Sequence, residues 1–320
     1  MSHREIAEIS ESQTQQRGFS LLEVMITLVI LLVVTGMVMF AMMQMTNTQG
    51  SIANRTQMHG SIRSATELLQ QEIGQAGRLP PFTTPVTLSS AVASGIGVLA
   101  TVNSVTGMFV NENLVVDAGQ MGAGPSSTYQ NPETVTVTAI NSVAKTFTAT
   151  FAFPHAAGAP VVVAGAFPSG IIPDTDPTNP STGSLLKMYG DINGDGNMVY
   201  VEYNCDTAGG NLTRSVTPLT SVTKNAAQVI LPNIIANPGN AACFVYQKKT
   251  IGTDIYVVDV SVTLTVQTQN LDPQTKQLQT ETKALLNVAP RNVFDAWLLG
   301  SGAVTTRIQP KPASVVTLSQ

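Results

Sequence analysis

Apolar positions are spread unevenly along the 320 residues. From Val24 to Met43 the chain reads VMITLVILLVVTGMVMFAMM, twenty residues without a charge, the length a helix needs to cross about 30 Å of hydrocarbon. Nothing later resembles it, so the pattern predicts one membrane segment near the N-terminus with everything after it on one side. Beyond the run the period changes. Met58, Ile62, Ala65, Leu69, Ile73 and Ala76 recur every three or four positions, with Arg63, Glu67, Gln70 and Gln71 off that stripe, which predicts that the helix continues as an amphipathic half. Gly77, Pro80 and Pro81 close it, while Gly36, Gly50, Gly60 and Gly74 weaken it locally.

After Pro81 the texture turns to strands and turns. Thr134 to Ile140, Thr146 to Phe153 and Val161 to Phe167 run or alternate in Val, Thr, Ala and Phe between Gly, Pro and Asn, so 79–180 reads as a strand-rich insertion or subdomain. A second strand block, 181–300, contains Tyr200 to Tyr203, a Gly209-Gly210 turn, Gln228 to Leu231, Phe244 to Tyr246, the long alternating run Ile255 to Gln267, and Thr282 to Val288. The tail, 301–320, has two Pro and many small polar residues and is expected to be flexible. The fold class is α+β: a long N-terminal helix, half transmembrane and half amphipathic, packed on an antiparallel sheet head.

Composition sharpens this. Charged residues are 11 % of the chain and hydrophobic ones 43 %, the missing charge being replaced by Thr, Ser, Asn, Gln and Gly; ordinary soluble domains carry about 25 % charge. With 16 basic and 20 acidic residues the net charge is −4, and no Lys/Arg cluster exceeds the pair Lys248 and Lys249, so no nucleic acid partner is expected.

The start of the apolar run carries more chemistry than an anchor needs. Arg17-Gly18-Phe19-Ser20-Leu21-Leu22-Glu23 puts one carboxylate at the edge of the run, where ionised groups cost about 2.5 to 3.5 kcal/mol and are functional candidates by default. If the chain is cut after Gly18, the new Phe19 amine is a cation that Glu23 of a neighbouring subunit can pair with. A plain anchor or a coiled-coil dimer anchor would account for the helix alone. Gly18-Phe19-Ser20-Leu21-Leu22-Glu23 followed by the run resembles the signal of type IV prepilins and pseudopilins. That resemblance implies a leader at 1–18, long and acidic here with Glu5, Glu8 and Glu11, cleavage between Gly18 and Phe19 by a prepilin peptidase, methylation of the Phe19 amine, and a pilin helix at 19–78 with its span at 24–43.

The order of the later strands, V-x-Y at Val201, a Gly turn with Leu212-Thr213-Arg214, F-x-Y at Phe244, a long strand, then Arg291-Asn292, is similar to the heads of PilW-like minor pilins and J-type minor pseudopilins. The implied role is a minor pilin that primes or joins a pilus. Its expected partners are other minor and major pilins, the inner-membrane assembly platform and the membrane, and its expected locations the inner membrane and then the cell surface. A type II secretion pseudopilin and a tip adhesin are the alternatives.

Asp191-Ile192-Asn193-Gly194-Asp195-Gly196-Asn197, with Glu202 beyond, fits the D-x-[DN]-x-[DN]-G-x5-E calcium loop. Asp191, Asn193, Asp195, Asn197 and Glu202 are therefore candidate Ca2+ ligands. If a strand begins at Met198, Glu202 lies roughly 16 Å beyond Asn197, and Asp174 or Asp176 would have to help; an Asx-rich turn uses the same residues without metal. Cys205 and Cys243 are the only cysteines. An even count in an exported region favours a disulfide over two buried thiols. Enzyme readings find little footing: His3, His59 and His155 stand without a nucleophile motif or metal spacing, and no phosphate-binding G-x-x-x-x-G-K-[ST] loop is present.

Overall fold

The computed structural model describes residues 18–118, 132–163 and 165–320; the expected leader lies outside them up to Arg17. The chain forms two compact units, one holding the residues up to Ala53 with Asp272–Lys276, the other Asn54–Leu271 with Gln277–Gln320.

Helix α1, Leu21–Gln75, begins in the first unit. Ser20 starts it: the Glu23 amide donates to the Ser20 carbonyl at 3.0 Å and to its hydroxyl at 3.2 Å, an N-cap that satisfies one of the helix's orphan donors. It is long and apolar enough to cross a membrane, and its side chains from Leu21 to Met45 are exposed. The hydroxyls of Thr27, Thr46 and Thr48 donate to the carbonyls of Val24, Met42 and Gln44, each at 2.9 Å, so these three hydroxyls are satisfied by the helix itself. The Asp272–Lys276 turn is fastened to the same helix through Ser51 and Thr48.

In the second unit the strands are β1 (Val86–Thr87), β2 (Gly95–Thr101), β3 (Asn113–Val116), β4 (Glu133–Thr136), β5 (Ala139–Asn141), β6 (Thr146–Phe151), β7 (Pro160–Val163), β8 (Leu185–Gly190), β9 (Val199–Asp206), β10 (Asn211–Pro218), β11 (Gln228–Pro232), β12 (Ile234–Ile235), β13 (Phe244–Ile251), β14 (Asp254–Gln267) and β15 (Thr280–Val288), followed by helices α2 (Arg291–Ser301) and α3 (Ala313–Leu318). Among the described residues these strands pair antiparallel throughout. The head has one sheet in the order β11-β10-β9-β8 and a second in which β14 pairs with β12, β13 and β15. Every residue of the α1 stripe, Met58 to Ala76, is buried and joins the core those sheets build with Tyr203, Leu212, Phe244, Val262 and Leu264. The helix's second half is held by that burial, since propensity alone sustains few isolated helices.

The insertion folds as sheets β1-β7-β3-β4 and β2-β6-β5 around a separate core that includes Leu88, Val116, Phe147 and Phe151. The strand expected over 134–140 is split into β4 and β5. The Asn111 amide donates to the Val137 carbonyl while the Thr138 amide donates to that of Thr148, so the chain crosses between sheets at Val137-Thr138, as strands do at sandwich corners. The strand expected to reach Phe167 stops at Val163. Gly165, at φ 95°, then lies so close to Arg307 that a Cβ would sit 1.6 Å from its carbonyl oxygen; only glycine fits this contact. Phe167 and Ile172 pack with Tyr189 and Tyr200 in a head core.

The tail expected to be flexible is packed instead. Gln309 is fully buried, α3 places Val315 and Leu318 in the core with Phe167, and the buried Lys187 ammonium donates to the Ser319 carbonyl at 2.8 Å. Its apolar residues are too few and too widely spaced to read as an element, yet Val315 and Leu318 fill a core made by residues far away in sequence.

Candidate functional site

Gly18 and Phe19 precede the first turn of α1 and are exposed. A Cβ added to Gly18 would meet nothing within 4 Å, so nothing in this fold demands glycine there; a requirement for it would come from a molecule that reads the segment. Glu23 is an exposed residue of the first turn, its amide taken up by Ser20. Serine three residues before a glutamate is the sequence pattern of a capping box; the bond made here is from the Glu23 amide to Ser20, which leaves the Glu23 carboxylate open to a second subunit.

Four residues, Glu72, Tyr203, Arg214 and Asn292, fasten α1 to the head. Glu72, buried on the helix, accepts from the Tyr203 hydroxyl of β9 at 2.5 Å and from Nε of Arg214 on β10 at 3.1 Å, and its second oxygen pairs with Nη2 of the same guanidinium. Burial first, and then the Glu72 charge, push the Tyr203 phenol far above its usual range, so it stays a donor. Asn292 Nδ2 donates to the Gln75 carbonyl at 3.2 Å, covering a free acceptor at the end of α1. Arg214 and Asn292 are the polar residues of the L-x-R and R-N motifs. Their chemistry is thus attachment of the helix, a role invisible while the motifs were read as strand pattern; Arg291-Asn292 itself opens α2 rather than ending a strand.

The 191–202 segment divides. Asp191 is buried; its Oδ1 accepts from the Gly196 amide at 3.2 Å, and Asp195 Oδ1 accepts from that of Asn197 at 2.9 Å. Asp191 Oδ2 has no hydrogen-bond partner among the described residues and faces Nε of Arg78 at 3.6 Å. Glu202 is elsewhere, in β9, accepting from the Tyr200 hydroxyl at 2.9 Å and pairing with Lys224 at 3.2 Å. Asp174 and Asp176, the possible helpers, are paired with Lys248 and Lys311. Among the described residues no group of three or more His, Cys, Asp and Glu is gathered in metal-holding geometry. Asp191, Asn193, Asp195 and Asn197 share one loop; Glu202 does not reach it.

Cys205 in β9 and Cys243 beside β13 form a disulfide with Cα atoms 6.5 Å apart, tying the first head sheet to the second. His155, which stood alone in the sequence, does not stand alone in the fold. Its Nδ1 lies 2.6 Å from Asp117 and its Nε2 2.6 Å from Glu133, all three buried or nearly so. Glu133 also accepts from the amides of Ala152 and Phe153. The cluster joins the end of β3, the start of β4 and the loop after β6, so it reads as a structural pin.

Residues 13–39 match the family model described as the prokaryotic N-terminal methylation motif. No curated protein and no solved structure matches the chain. The motif supports a type IV pilin or pseudopilin, with processing by a prepilin peptidase and assembly with other pilins in a membrane machinery. With that motif at the start of a long apolar helix followed by antiparallel sheets, the fold is type IV pilin-like.

Proposed function

We propose that the chain is a minor pilin of a type IV pilus, PilW-like in its head, that primes or joins the filament rather than forming its bulk. In this reading the precursor sits in the inner membrane, is cut after Gly18 and methylated on Phe19, and docks through Glu23 and the apolar half of α1 with other minor and major pilins at the assembly platform. The observation that carries it is the methylation motif on a helix whose apolar half is wholly exposed, joined to a head enlarged by a subdomain with its own core. The strand order from β9 to β15, with Arg214 and Asn292 both spent on α1, supports the PilW-like part. For the 191–197 loop, calcium is a weak ligand of Asp191, Asn193 and Asp195, in competition with Arg78 for Asp191.

The mature N-terminus, read by mass spectrometry, tests the proposal. N-methyl-Phe at position 19 is expected, and an intact Met1 would sink it. Deleting the gene is then expected to abolish pili; loss of protein secretion with pili intact would assign the chain to a type II secretion system. A tip adhesin is a second reading, favoured by two nearly fully exposed apolar tips on the insertion, Ile96 at 93 % and Val143 at 94 %. Glycan or surface binding by the chain, lost on Ile96→Ser or Val143→Ser, would favour it.

A further inference from the structure

The β14–β15 connection contributes five residues, Asp272–Lys276, to the unit of the apolar helix. They are fixed to α1 at a defined height. Ser51 Oγ donates to Asp272 Oδ2 at 2.5 Å, Gln274 Nε2 donates to Thr48 Oγ1 at 3.1 Å, and Gly50 lies so near Pro273 that a Cβ would come within 3.1 Å of its ring. Asp272 Oδ1 accepts from the Gln274 and Thr275 amides at 2.8 Å each, and the Lys276 amide closes on the Asp272 carbonyl. At about 1.5 Å per residue, Thr48 stands about 7 Å and Ser51 about 12 Å beyond Met43, the last residue of the apolar run. The head-group layer outside about 30 Å of hydrocarbon is about 5 to 8 Å thick, so the turn is held at its outer edge.

The turn's two charges face differently. Asp272 is buried, and its carboxylate, held down to about 2 by the Ser51 hydroxyl first and then the Thr275 amide, is spent on those donors. Lys276 is exposed, with no ion-pair partner among the described residues. We propose that the Asp272–Lys276 turn is a membrane-surface contact that sets the depth of the unassembled subunit, Lys276 engaging the phosphates of anionic lipid head groups on the exported face. A rigid turn continuous with the spanning helix, with its acid masked and its base free, suits a lipid surface: the flexible lysine stem reaches back toward the phosphates.

The inference rests on α1 spanning the bilayer, and the experiment separates the two. The full chain, whose own cysteines are both in the disulfide, is reconstituted in vesicles of phosphatidylcholine with or without phosphatidylglycerol. A fluorophore is placed on Thr275→Cys or, as a deep reference, Val34→Cys, and quenched by nitroxide lipids labelled on the head group or at mid-chain. The Val34 label is expected to respond to the mid-chain quencher and the Thr275 label to the head-group quencher. Lys276→Glu is expected to lower the head-group response about fivefold in the phosphatidylglycerol vesicles, with Lys276→Arg restoring it. A Thr275 label that neither nitroxide quenches, beside a normally quenched Val34 label, overturns the proposal and leaves the span intact. Unquenched labels at both positions overturn the span itself. A Lys276→Glu chain with an undiminished response overturns the role of Lys276.

Discussion

Removing Arg214 isolates what holds the second half of α1 to the head. In Arg214→Ala the Glu72 carboxylate, only 7 % exposed as a side chain, loses both guanidinium contacts and keeps a single donor, Tyr203. Breaking a buried ion pair from one side costs about 3 to 5 kcal/mol. The Arg214 side chain is 23 % exposed, so water can enter where it stood, and about 3 kcal/mol is the expected loss. Tyr203→Phe removes one hydrogen bond to a charged acceptor, about 1.5 kcal/mol. Replacing Glu72 by Leu and Arg214 by Met together removes both charges and keeps apolar volume, and is expected to cost less than Arg214→Ala alone. The assay is thermal unfolding of the full chain in detergent micelles, followed by the fluorescence of Trp297, the only tryptophan, which packs on the α2 core beside Tyr256 and Val293. For a head of this size about 3 kcal/mol is a fall in Tm of about 6 to 12 °C. An Arg214→Ala chain that loses less than about 1 kcal/mol, or a Glu72→Ala, Arg214→Ala double variant whose loss equals the sum of the singles, would refute the reasoning, because groups in one buried network must couple.

Two further perturbations follow from single residues. Burial pushes the Glu112 carboxyl up to about 8, opposed only by the Phe109 amide it accepts from. The folded chain then holds a proton that the unfolded chain releases, so this residue's stabilisation is complete below the ordinary carboxylate range and declines as pH rises toward 8. A loss of up to about 4 kcal/mol between pH 5 and 8 is expected, and Glu112→Gln should flatten the pH dependence of Tm; an unchanged profile would count against it. For the 191–197 loop, calorimetry is expected to find calcium affinity in the weak range of about 10⁻⁴ to 10⁻³ M, tightened by Arg78→Ala because Asp191 is freed; binding weakened by that substitution, or absent from both chains, would reject calcium.

What could be read from the sequence is what local periodicity and short-range chemistry determine. The α1 stripe was legible because each of its apolar residues lies three or four positions from the next, and all six are buried; β9, β10, β11, β13, β14 and β15 were legible because they alternate or are bounded by turn residues. The prepilin-type signal was legible because a cut site, a carboxylate and a hydrophobic run sit within thirty residues. What was missed joins residues that topology brings together. Asp117, Glu133 and His155 are separated by up to 38 positions, Glu72 and Arg214 by 142, Thr48 and Gln274 by 226, and no spacing rule spans such gaps. The Glu202 member of the calcium pattern departs for the same reason in reverse: in register with the motif, it is carried away once the chain enters β9, where it follows the two-residue period of a strand and meets Lys224 instead.

That division has a functional consequence. Gly18 and Phe19 are exposed, with open space around Gly18, and the Glu23 side chain makes no hydrogen bond or ion pair among the described residues, only its amide being taken up by Ser20, so their identity is not set by this subunit's stability. Glu72, Arg214 and Asn292 are the opposite, each spent on bonds inside the chain. Substitutions in the first group should therefore leave Tm unchanged and abolish processing or assembly, whereas those in the second should lower Tm and affect assembly only as far as the head detaches from α1. A Gly18 variant that unfolds early would show that the processing segment also has a structural role, and would remove the separation between spine and signal on which the pilin reading depends.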